Sequence, residues 1–540
     1  MSQPGQDPND SVSFHQLLSR RRFLQGAAGV GIALGAGGLL AACNGGDGEG
    51  ASDTTTTASG DIKRGGVFRV GHVGGGKSEG FNPGVGGGWI DTSRQYQIYD
   101  PLTRVNPDLT QVPGLALEWN KNEDGTVYEV KLRSDVVFHN GKAFTADDVI
   151  YSLRLMGDEK HTGHFAVTNI NLDELKKIDD LTVQIPLKSP NADLAGAFVN
   201  GTTVMVQDGH TDFTKPVGTG PFVLESFTPG ERSHAAANKE YWDEGKPYVD
   251  AWEDISIDDA DGRLNALLAG EIDAMSQLGY PQAKAQVAAG EINVVNAPSP
   301  SMLCFYMAVD RAPFTDNRVR EAFRHIPDRQ AMIDGAISGF GTLGNDLFGK
   351  GYKYFADDMP VREHDPEKVK SLLKQAGHED LEVTLHTSEA VPGFVESATL
   401  FAQQAKAAGV TVNIKKESPS AFFDTSLLYT KLDFSQDFWA AGSVGAWFEL
   451  ALLSTAAWNE THWRDPAFDK LIREAQGAPD EQAAEEKFHE LQQIQYDEGG
   501  YIIWTNINIV DATANYVKGI VPSSFTALGG WDYKSAWLDK

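Results

Sequence analysis

Cysteine is almost absent from this chain of 540 residues, which contains only Cys43 and Cys304. Two cysteines cannot build a disulfide framework or a cysteine-based metal cluster. Cys304 lies in an apolar run at 302–307, where a small core residue is more typical than a nucleophile. The motifs H-E-x-x-H, C-x-x-C and the EF-hand loop are absent as well. The sequence therefore predicts no metal, no cofactor and no catalytic residue.

Positive charge is also scarce: the chain has 46 Lys and Arg residues and 75 Asp and Glu residues, which gives a net charge of −29. Such a surface repels nucleic acid and anionic lipid headgroups, so no nucleic-acid partner is expected. Long hydrophobic runs are missing too. The run at 26–40 is rich in Gly and Ala and falls short of the roughly 20 apolar residues that a membrane-spanning helix needs. A transmembrane anchor is therefore the weaker interpretation of this run.

The first 43 residues instead resemble an export signal. Arg20 and Arg21 lie in the run Ser-Arg-Arg-Arg-Phe-Leu-Gln, which is typical of a twin-arginine signal, and Leu-Ala-Ala precedes Cys43 as in a lipoprotein signal. Together these features predict Tat export, cleavage after residue 42 and a lipid on the Cys43 sulfur. We expect the mature protein to be anchored to the outer face of the cytoplasmic membrane, on the periplasmic or cell-surface side.

The remainder of the chain is long enough for more than one hydrophobic core. Residues 43–62 are mostly Gly, Ser, Thr, Asp and Ala, which predicts a flexible tether. Beyond the tether, strand-like and helix-like patterns alternate, which favours α/β lobes. Strands are predicted over 67–70, 126–132, 181–187, 221–227, 251–257, 302–309, 381–387, 410–415 and 501–510. Helices are predicted over 145–156, 261–269, 317–324, 365–376, 395–407, 466–476 and 480–496.

One glycine-rich segment fits two catalytic patterns. Residues 71–78 match the phosphate-binding loop G-x-x-x-x-G-K-[ST], and residues 76–80 match the G-x-S-x-G elbow with Ser78 as nucleophile. Both patterns require a helix immediately afterwards, whereas residues 79–88 contain five glycines and Pro83, which disfavour a helix start. We interpret the segment as a loop that leaves the first strand and lines a cleft.

An ordered series of short motifs covers most of residues 63 to 510. The longest, at 137–152, reads Val-Phe-His-Asn-Gly-Lys-Ala-Phe-Thr-Ala-Asp-Asp-Val-Ile-Tyr-Ser. The series resembles the family 5 extracellular solute-binding proteins, which serve ABC importers of peptides, nickel and related solutes. The other matching runs are 63–70, 98–103, 113–119, 128–133, 217–222, 241–242, 245–250, 266–273 and 313–322.

This resemblance implies an α/β, two-lobed, periplasmic-binding-protein-like fold with a hinge and an inserted α+β subdomain in the first lobe. The ligand would lie between the lobes and be enclosed by hinge closure. The chain would cross between lobes near 302–309 and 502–509. The implied segments are 63–95, 217–300 and 504–540 for lobe 1, 96–216 for the inserted subdomain and 301–503 for lobe 2.

The sequence departs from the family beside Trp439. Peptide-binding relatives commonly have a W-x-x-D run here, whose Asp pairs with the ligand α-amino group, but residues 440–448 contain no acid. Glu449 and Asp437 are alternative counter-charges with different spacing. Because an unpaired ammonium is costly to bury, we expect free dipeptides to bind less well than uncharged or N-blocked solutes.

Aromatic residues are the predicted ligand contacts. Trp439 is the first candidate, followed by Trp447, Tyr306 in a proposed crossing segment and Phe81 in the loop after the first strand; Glu449 completes the predicted site. Core packing is the alternative role for each tryptophan.

The sequence thus indicates a lipid-anchored, monomeric receptor that captures a small organic or peptide-like solute outside the cytoplasm and delivers it to the permease of an ABC importer. We expect no enzymatic activity. The alternatives are an exported serine hydrolase that uses Ser78, and a peptide-holding chaperone or sensor with the same cleft.

Overall fold

The computed structural model describes residues 61–540 except 75, 86–87, 192, 419–421, 424–430, 457 and 479. The predicted export signal with Arg20 and Arg21, the lipidation site Cys43 and nearly all of the tether lie outside the described residues. Within the described part, no helix is both long and apolar enough to cross a membrane.

Short strands and helices alternate along the chain. The strands are β1 Val67–His72, β2 Thr103–Val105, β3 Gln111–Pro113, β4 Ala116–Lys121, β5 Val127–Leu132, β6 Lys176–Asp179, β7 Thr182–Pro186, β8 Phe222–Thr228, β9 Arg232–Ala237, β10 Ala251–Ser256, β11 Ala274–Met275, β12 Asn293–Met307, β13 Gly341–Leu343, β14 Glu382–Ser388, β15 Thr411–Glu417, β16 Phe434–Trp439, β17 Tyr501–Thr513, β18 Val517–Lys518 and β19 Trp537–Leu538. The helices are α1 Trp89–Ile98, α2 Ala146–Met156, α3 Ala260–Leu268, α4 Tyr280–Ala289, α5 Asn317–Arg324, α6 Arg329–Ala336, α7 Pro366–Ala376, α8 Phe394–Ala407, α9 Val444–Trp447, α10 Pro466–Gln476 and α11 Glu481–Glu498.

Two long strands hold the main sheet together. Its order is β15-β14-β16-β12-β17-β11-β1-β10-β9-β8, with β13 also paired to β17. Strands β12 and β17 contain 15 and 13 residues and pair antiparallel along most of their length. The C-terminal part of β12 pairs with β16, whereas the C-terminal part of β17 pairs with β11. The β12–β17 pair therefore connects two strand groups, at the places where the sequence predicts crossings.

Separate hydrophobic cores flank this pair of strands. One core combines residues 68–99 and 204–292 with residues 510–538, and we call the body around it lobe 1. Two further cores, on opposite faces of the sheet, are built from residues 302–504 and form lobe 2. Alternate β12 residues supply the two lobe 2 cores, as the period of two in a strand requires. The predicted lobe boundaries themselves stay predictions.

A smaller body has its own core, made of residues 102–205. It contains the four-stranded sheet β4-β5-β7-β6 and helix α2. Helix α2 begins as predicted, because Thr145 and Asp148 form a reciprocal capping box. The Lys142 ammonium also contacts the Asp148 carboxylate at 2.8 Å.

Buried arginines fix the end of α11, directly before β17 begins. Arg320 donates to the carbonyl of Glu498 at 2.9 Å, and Arg362 donates to the carbonyl of Tyr496 at 2.6 Å. Cations stabilise a helix carboxyl terminus because its last carbonyls lack partners and carry partial negative charge. The Asp346 carboxylate pairs with both Arg362 and Arg329. This cluster sets the position from which the crossing strand starts.

Helix α1 was not predicted from the sequence. It follows a glycine-rich stretch and buries polar side chains on several sides, among them Asp91, Arg94, Gln95 and Gln97. A buried helix of this composition has no amphipathic pattern from which to recognise it. Some of its polar groups have partners outside the helix: Gln97, for example, donates to the backbone carbonyl of Trp531 at 2.9 Å.

Candidate functional site: the edges that face each other between the lobes

The strand directions place the carboxyl ends of the lobe 1 strands toward lobe 2. Strand β17 runs from lobe 2 into lobe 1, and β11 pairs with it antiparallel. Strand β1 is parallel to both β11 and β10, so all three run toward lobe 2. The loops that follow them therefore lie on the side of lobe 1 that faces lobe 2.

Lobe 2 has the complementary arrangement. Strand β12 runs into lobe 2, β16 returns antiparallel to it, and β14 is parallel to β16. The carboxyl ends of β16 at Trp439 and of β14 at Ser388 thus point back toward lobe 1. Ligands of α/β proteins bind at the carboxyl ends of strands and between domains, so these facing edges define the candidate cleft.

Trp439 lies at the end of β16 and is 1% exposed. Its ring makes edge contacts with Phe348 and Trp447 at centroid distances of 5.5 and 5.1 Å, and a tilted contact with Trp458 at 5.9 Å. Its indole N–H donates to Oε1 of Glu460 at 3.2 Å. Trp439 therefore packs as a core residue in this structure, and its role in ligand binding stays a prediction.

Glu460 is the acid beside Trp439, and the sequence did not reveal it. It is fully buried and stands 21 residues after Trp439, outside any local W-x-x-D spacing. Asp437, which was considered, is also buried, and its backbone carbonyl accepts from the Cys304 thiol at 3.3 Å. Burial, together with Glu460, Cys304 and Asp437, raises the pKa of Tyr501 well above its ordinary value. The lobe 2 edge thus has two buried carboxylates near its aromatic cluster.

Of the other predicted site residues, two share the core of Trp439 and two lie apart from it. Trp447 and Tyr306 belong to the same core as Trp439. Tyr306 pairs with Ser435 and Tyr501, four residues beyond the Met302–Trp439 pair, so it lies about 13 Å farther from lobe 1. Phe81 lies in the loop after β1, buried against Phe227 at 5.0 Å. Glu449 is exposed and accepts from Gln476 at 2.6 Å.

The loop after β1 does not have the form of a phosphate loop or a nucleophile elbow. Residues Gly76–Ser78 form one short 3-10 turn, and the next described helix begins at Trp89. Glu79 is buried and fixes the loop, because its carboxylate accepts from Arg94 at 2.8 Å and from the Gly230 N–H at 3.1 Å. Ser78 is exposed on this loop.

A Ser–His–Asp arrangement lies elsewhere, beneath the lobe 1 edge. Nδ1 of His72 is 2.8 Å from the Ser276 hydroxyl, and Nε2 is 3.1 Å from Oδ1 of Asp254. Nε2 is also 3.0 Å from the Tyr533 hydroxyl. Ser276, His72, Asp254 and Tyr533 are all fully buried, so a substrate has no access to the serine. We interpret the group as a structural network that joins β1, β10, the loop after β11 and the C-terminal segment.

A buried carboxylate also supports two strained positions of the lobe 1 edge. Asp511 accepts from the backbone N–H of Gln277 at 2.9 Å and of Leu528 at 2.6 Å. Both donors have positive φ, 57° and 45°, which is unfavourable for residues other than glycine. Burial raises the pKa of Asp511 to about 6.

The raised pKa of Asp511 predicts a pH-dependent stability. Because the folded protein holds this proton up to about pH 6, the contribution of Asp511 is full below the unfolded pKa near 4 and is lost as the pH rises through 6. We expect Asp511→Asn to flatten the stability profile between pH 4 and 6, where one proton changes it by at most about 1.4 kcal/mol per pH unit. Urea unfolding at several pH values measures this; an unchanged slope would exclude Asp511 as the titrating group.

The loop after Trp439 has room only for a glycine at position 442. A Cβ at this position would lie 2.6 Å from the Trp447 ring. We expect Gly442→Ala to displace Trp447 and to lower the free energy of unfolding by about 1–3 kcal/mol, as overpacking does. Gly80→Ala is the matched control, since a Cβ there meets nothing within 4 Å. Equal melting temperatures of the two variants would contradict this placement of Trp447.

Known structures share this architecture over nearly the whole described chain. The ABC transporter substrate-binding protein CtaP from Listeria monocytogenes superposes with a TM-score of 0.78 at 21% identity, covering 88% of this chain and 100% of that one. DppA from Helicobacter pylori in complex with the peptide STSA gives a TM-score of 0.70 at 21% identity, covering 88% and 99%. These likenesses confirm the two-lobed α/β fold predicted from the sequence.

Sequence comparison finds relatives of several specificities. The dipeptide-binding protein of Escherichia coli strain K12 is 26% identical over 487 residues, covering 83% of this chain and 90% of that protein. Heme-binding protein A of Haemophilus influenzae is 26% identical over 330 residues, covering 55% and 60%. The model for the middle region of the bacterial extracellular solute-binding proteins of family 5 matches residues 110–460. With this match across most of the chain, the protein belongs to the family 5 extracellular solute-binding proteins, the substrate-binding proteins that serve ABC importers.

Proposed function

We propose that this protein is a lipid-anchored, monomeric receptor that binds a small organic solute between its lobes and passes it to the permease of an ABC importer. The proposal rests mainly on one observation. The carboxyl-terminal ends of the lobe 1 strands face the carboxyl-terminal ends of the lobe 2 strands across β12 and β17, and Trp439 lies at the end of the lobe 2 strand β16. Family membership supports the same function. The proposal includes the absence of catalysis, because the buried Ser276 group offers no access and Ser78 lies on a loop without the required helix.

The proposed solute has an apolar or aromatic face that contacts the Trp439 cluster. Named relatives bind dipeptides and heme, so family membership alone does not fix the solute. We keep the expectation that N-blocked or uncharged solutes bind better than free dipeptides. Glu460 is the residue with which to test this expectation, because its buried carboxylate contacts Trp439 and would be the counter-charge for the ammonium of a free dipeptide.

A thermal-shift screen of the mature protein against peptides, N-blocked peptides, sugars, heme and metal chelates tests the receptor function. A bound solute at 100 times its dissociation constant adds about 2.7 kcal/mol of stability. We expect at least one class to raise the melting temperature and calorimetry to give one site per chain. Labelling of Ser78 by an active-site serine probe, without any stabilising solute, would favour the hydrolase instead.

The proposed membrane anchor depends on Cys43. We expect wild-type protein to partition into detergent and Cys43→Ser to appear in the soluble exported fraction or to remain unprocessed, since only the Cys43 thiol can carry the lipid. Cys304→Ala, which changes the buried thiol, is the control that keeps the anchor. Replacing Arg20 and Arg21 with lysine should block export separately. Equal partitioning of wild type and Cys43→Ser would contradict the lipoprotein assignment.

A further inference from the structure

The inserted body contacts lobe 2 at points away from the crossing strands, and the first is the turn between β2 and β3, residues 106–110. Leu109 in this turn is 9% exposed, whereas the other four residues of the turn are exposed. Leu109 is not among the described core residues of the inserted body, and a Cβ on Gly351 of lobe 2 would lie 3.2 Å from its side chain. Lobe 2 therefore covers the apolar tip of this turn.

The turn is held in position from the lobe 1 side. The carbonyl of Pro107 accepts from the backbone N–H of Ser524, in the C-terminal segment of lobe 1, at 2.8 Å. Leu109 has a φ of 73°, in the left-handed region that is unfavourable for leucine. A strained conformation of this kind persists only where surrounding contacts compensate for it. The turn thus presents a strained apolar side chain to lobe 2 from a fixed position.

The second contact is made by residues 189–191 of the inserted body. Asn191 fixes this loop, because its carbonyl accepts from the Tyr128 hydroxyl at 2.8 Å and its N–H donates to the Gly125 carbonyl at 3.2 Å. Pro190 faces lobe 2, since a Cβ on Gly477, directly after α10, would lie 3.7 Å from the Pro190 Cβ. The loop therefore lies against the connection between α10 and α11.

Two tyrosines of lobe 2 approach lobe 1 beside these contacts. Burial raises the pKa of Tyr354, and Asp193 of the inserted body adds to that rise. Burial also raises the pKa of Tyr96 on α1, and Tyr352 adds to it. The Tyr354 ring stacks on Phe488 of α11 at 5.0 Å, which fixes residues 351–354 on lobe 2. Lobe 2 thus meets the inserted body with residues 351–354 and the α10–α11 connection.

We propose that the inserted body is a latch that stabilises the closed arrangement of the lobes. The crossing strands join the lobes covalently, whereas the contacts of Leu109 with Gly351 and of Pro190 with Gly477 must separate when a hinge motion parts the lobes. The latch therefore contributes to closure together with the solute. This rests on the proposed receptor function only in assuming that closure encloses the solute.

A disulfide across the second contact tests the latch without any solute. Pro190→Cys and Gly477→Cys are combined in a chain that also carries Cys43→Ser and Cys304→Ala, so that no other thiol is present. The separation of 3.7 Å suits a disulfide, whose Cβ atoms are about 3.5–4.5 Å apart. In protein whose native mass shows no bound solute, we expect almost complete oxidation, measured by alkylation of free thiols. Pro190→Cys with Ser371→Cys is the control and should not crosslink, because α7 packs on the other face of the lobe 2 sheet from α10.

Leu109→Asn tests the first contact. Asparagine removes the apolar side chain and tolerates the positive φ, so the turn should keep its shape. We expect this change to slow crosslinking of the cysteine pair about threefold or more, and to weaken binding of every solute by one common factor of about 3–10, because it lowers the closed fraction. Leu117→Asn, at an exposed position on β4 of the same body, is the control and should match wild type.

Three results would overturn the latch while the receptor function stands. If the cysteines at 190 and 477 crosslink no better than the control pair, the inserted body does not lie against lobe 2. If they crosslink only after saturating solute is added, the solute alone closes the lobes. If Leu109→Asn changes neither crosslinking nor affinity, the turn contributes nothing to closure. A screen that finds no stabilising solute would instead contradict the receptor function, and the crosslinking yield would still decide the latch.

Discussion

Trp439→Ala is expected to lower the free energy of unfolding by about 3–5 kcal/mol and to weaken solute binding about tenfold or more. Trp439 is 1% exposed and packs against Phe348, Trp447 and Trp458, so alanine leaves a large cavity. Chemical unfolding and titration calorimetry measure the two effects separately.

Trp439→Phe is the variant that keeps the affinity measurement interpretable. It retains an aromatic ring in the cluster and removes the indole N–H that Glu460 accepts. Unchanged affinity for a solute found in the screen would place the cleft contacts elsewhere. Glu460→Gln adds a test of charge at nearly constant shape: submicromolar binding of an unblocked dipeptide by wild type and its loss in this variant would identify Glu460 as the ammonium partner.

Asp346→Asn is expected to destabilise the protein by about 3–5 kcal/mol. The carboxylate of Asp346 is buried and pairs with Arg329 at 2.9 Å and with Arg362 at 2.8 Å. Removing its charge leaves both guanidinium groups without their shared counter-charge. Asparagine preserves the shape and tolerates the φ of 67° at this position, so the loss reports on charge.

Asp135→Asn is the matched control for this measurement. Asp135 pairs with Arg133 at 2.9 Å, but its side chain is 55% exposed. Surface ion pairs contribute at most about 1 kcal/mol, so the control should stay near wild type in urea unfolding. A loss below about 1 kcal/mol in Asp346→Asn would show that the arginine cluster does not depend on this carboxylate.

Every strand and helix predicted from local sequence signals is present in the structure, although many short elements, among them β16, were not predicted. Helices α5 and α10 have the predicted bounds, and α2, α7 and α8 lie within one residue of theirs. Capping residues and apolar periodicity are short-range properties, so the sequence displays them directly. Strand β12 begins nine residues before its predicted start, in a stretch where Asn and Pro interrupt the apolar pattern, and β17 continues three residues past its predicted end.

The candidate site was less visible in the sequence. Glu460 carries no motif, and its side-chain contact with Trp439 joins residues 21 positions apart that no local spacing connects. Helix α1 was missed because buried polar residues give no amphipathic pattern. The predicted ligand contacts stay predictions, and Glu449 and Phe81 lie apart from the Trp439 cluster.

The sequence by itself determined the family, the α/β class and the longer strands and helices, because these depend on local patterning and on motifs in a fixed order. The tertiary structure decided which polar groups lie between the lobes. Strands β12 and β17 pair residues about 200 positions apart, and that pairing sets the strand directions and the opposed edges. Such long-range contacts depend on how apolar surfaces pack together, which short-range patterns do not specify.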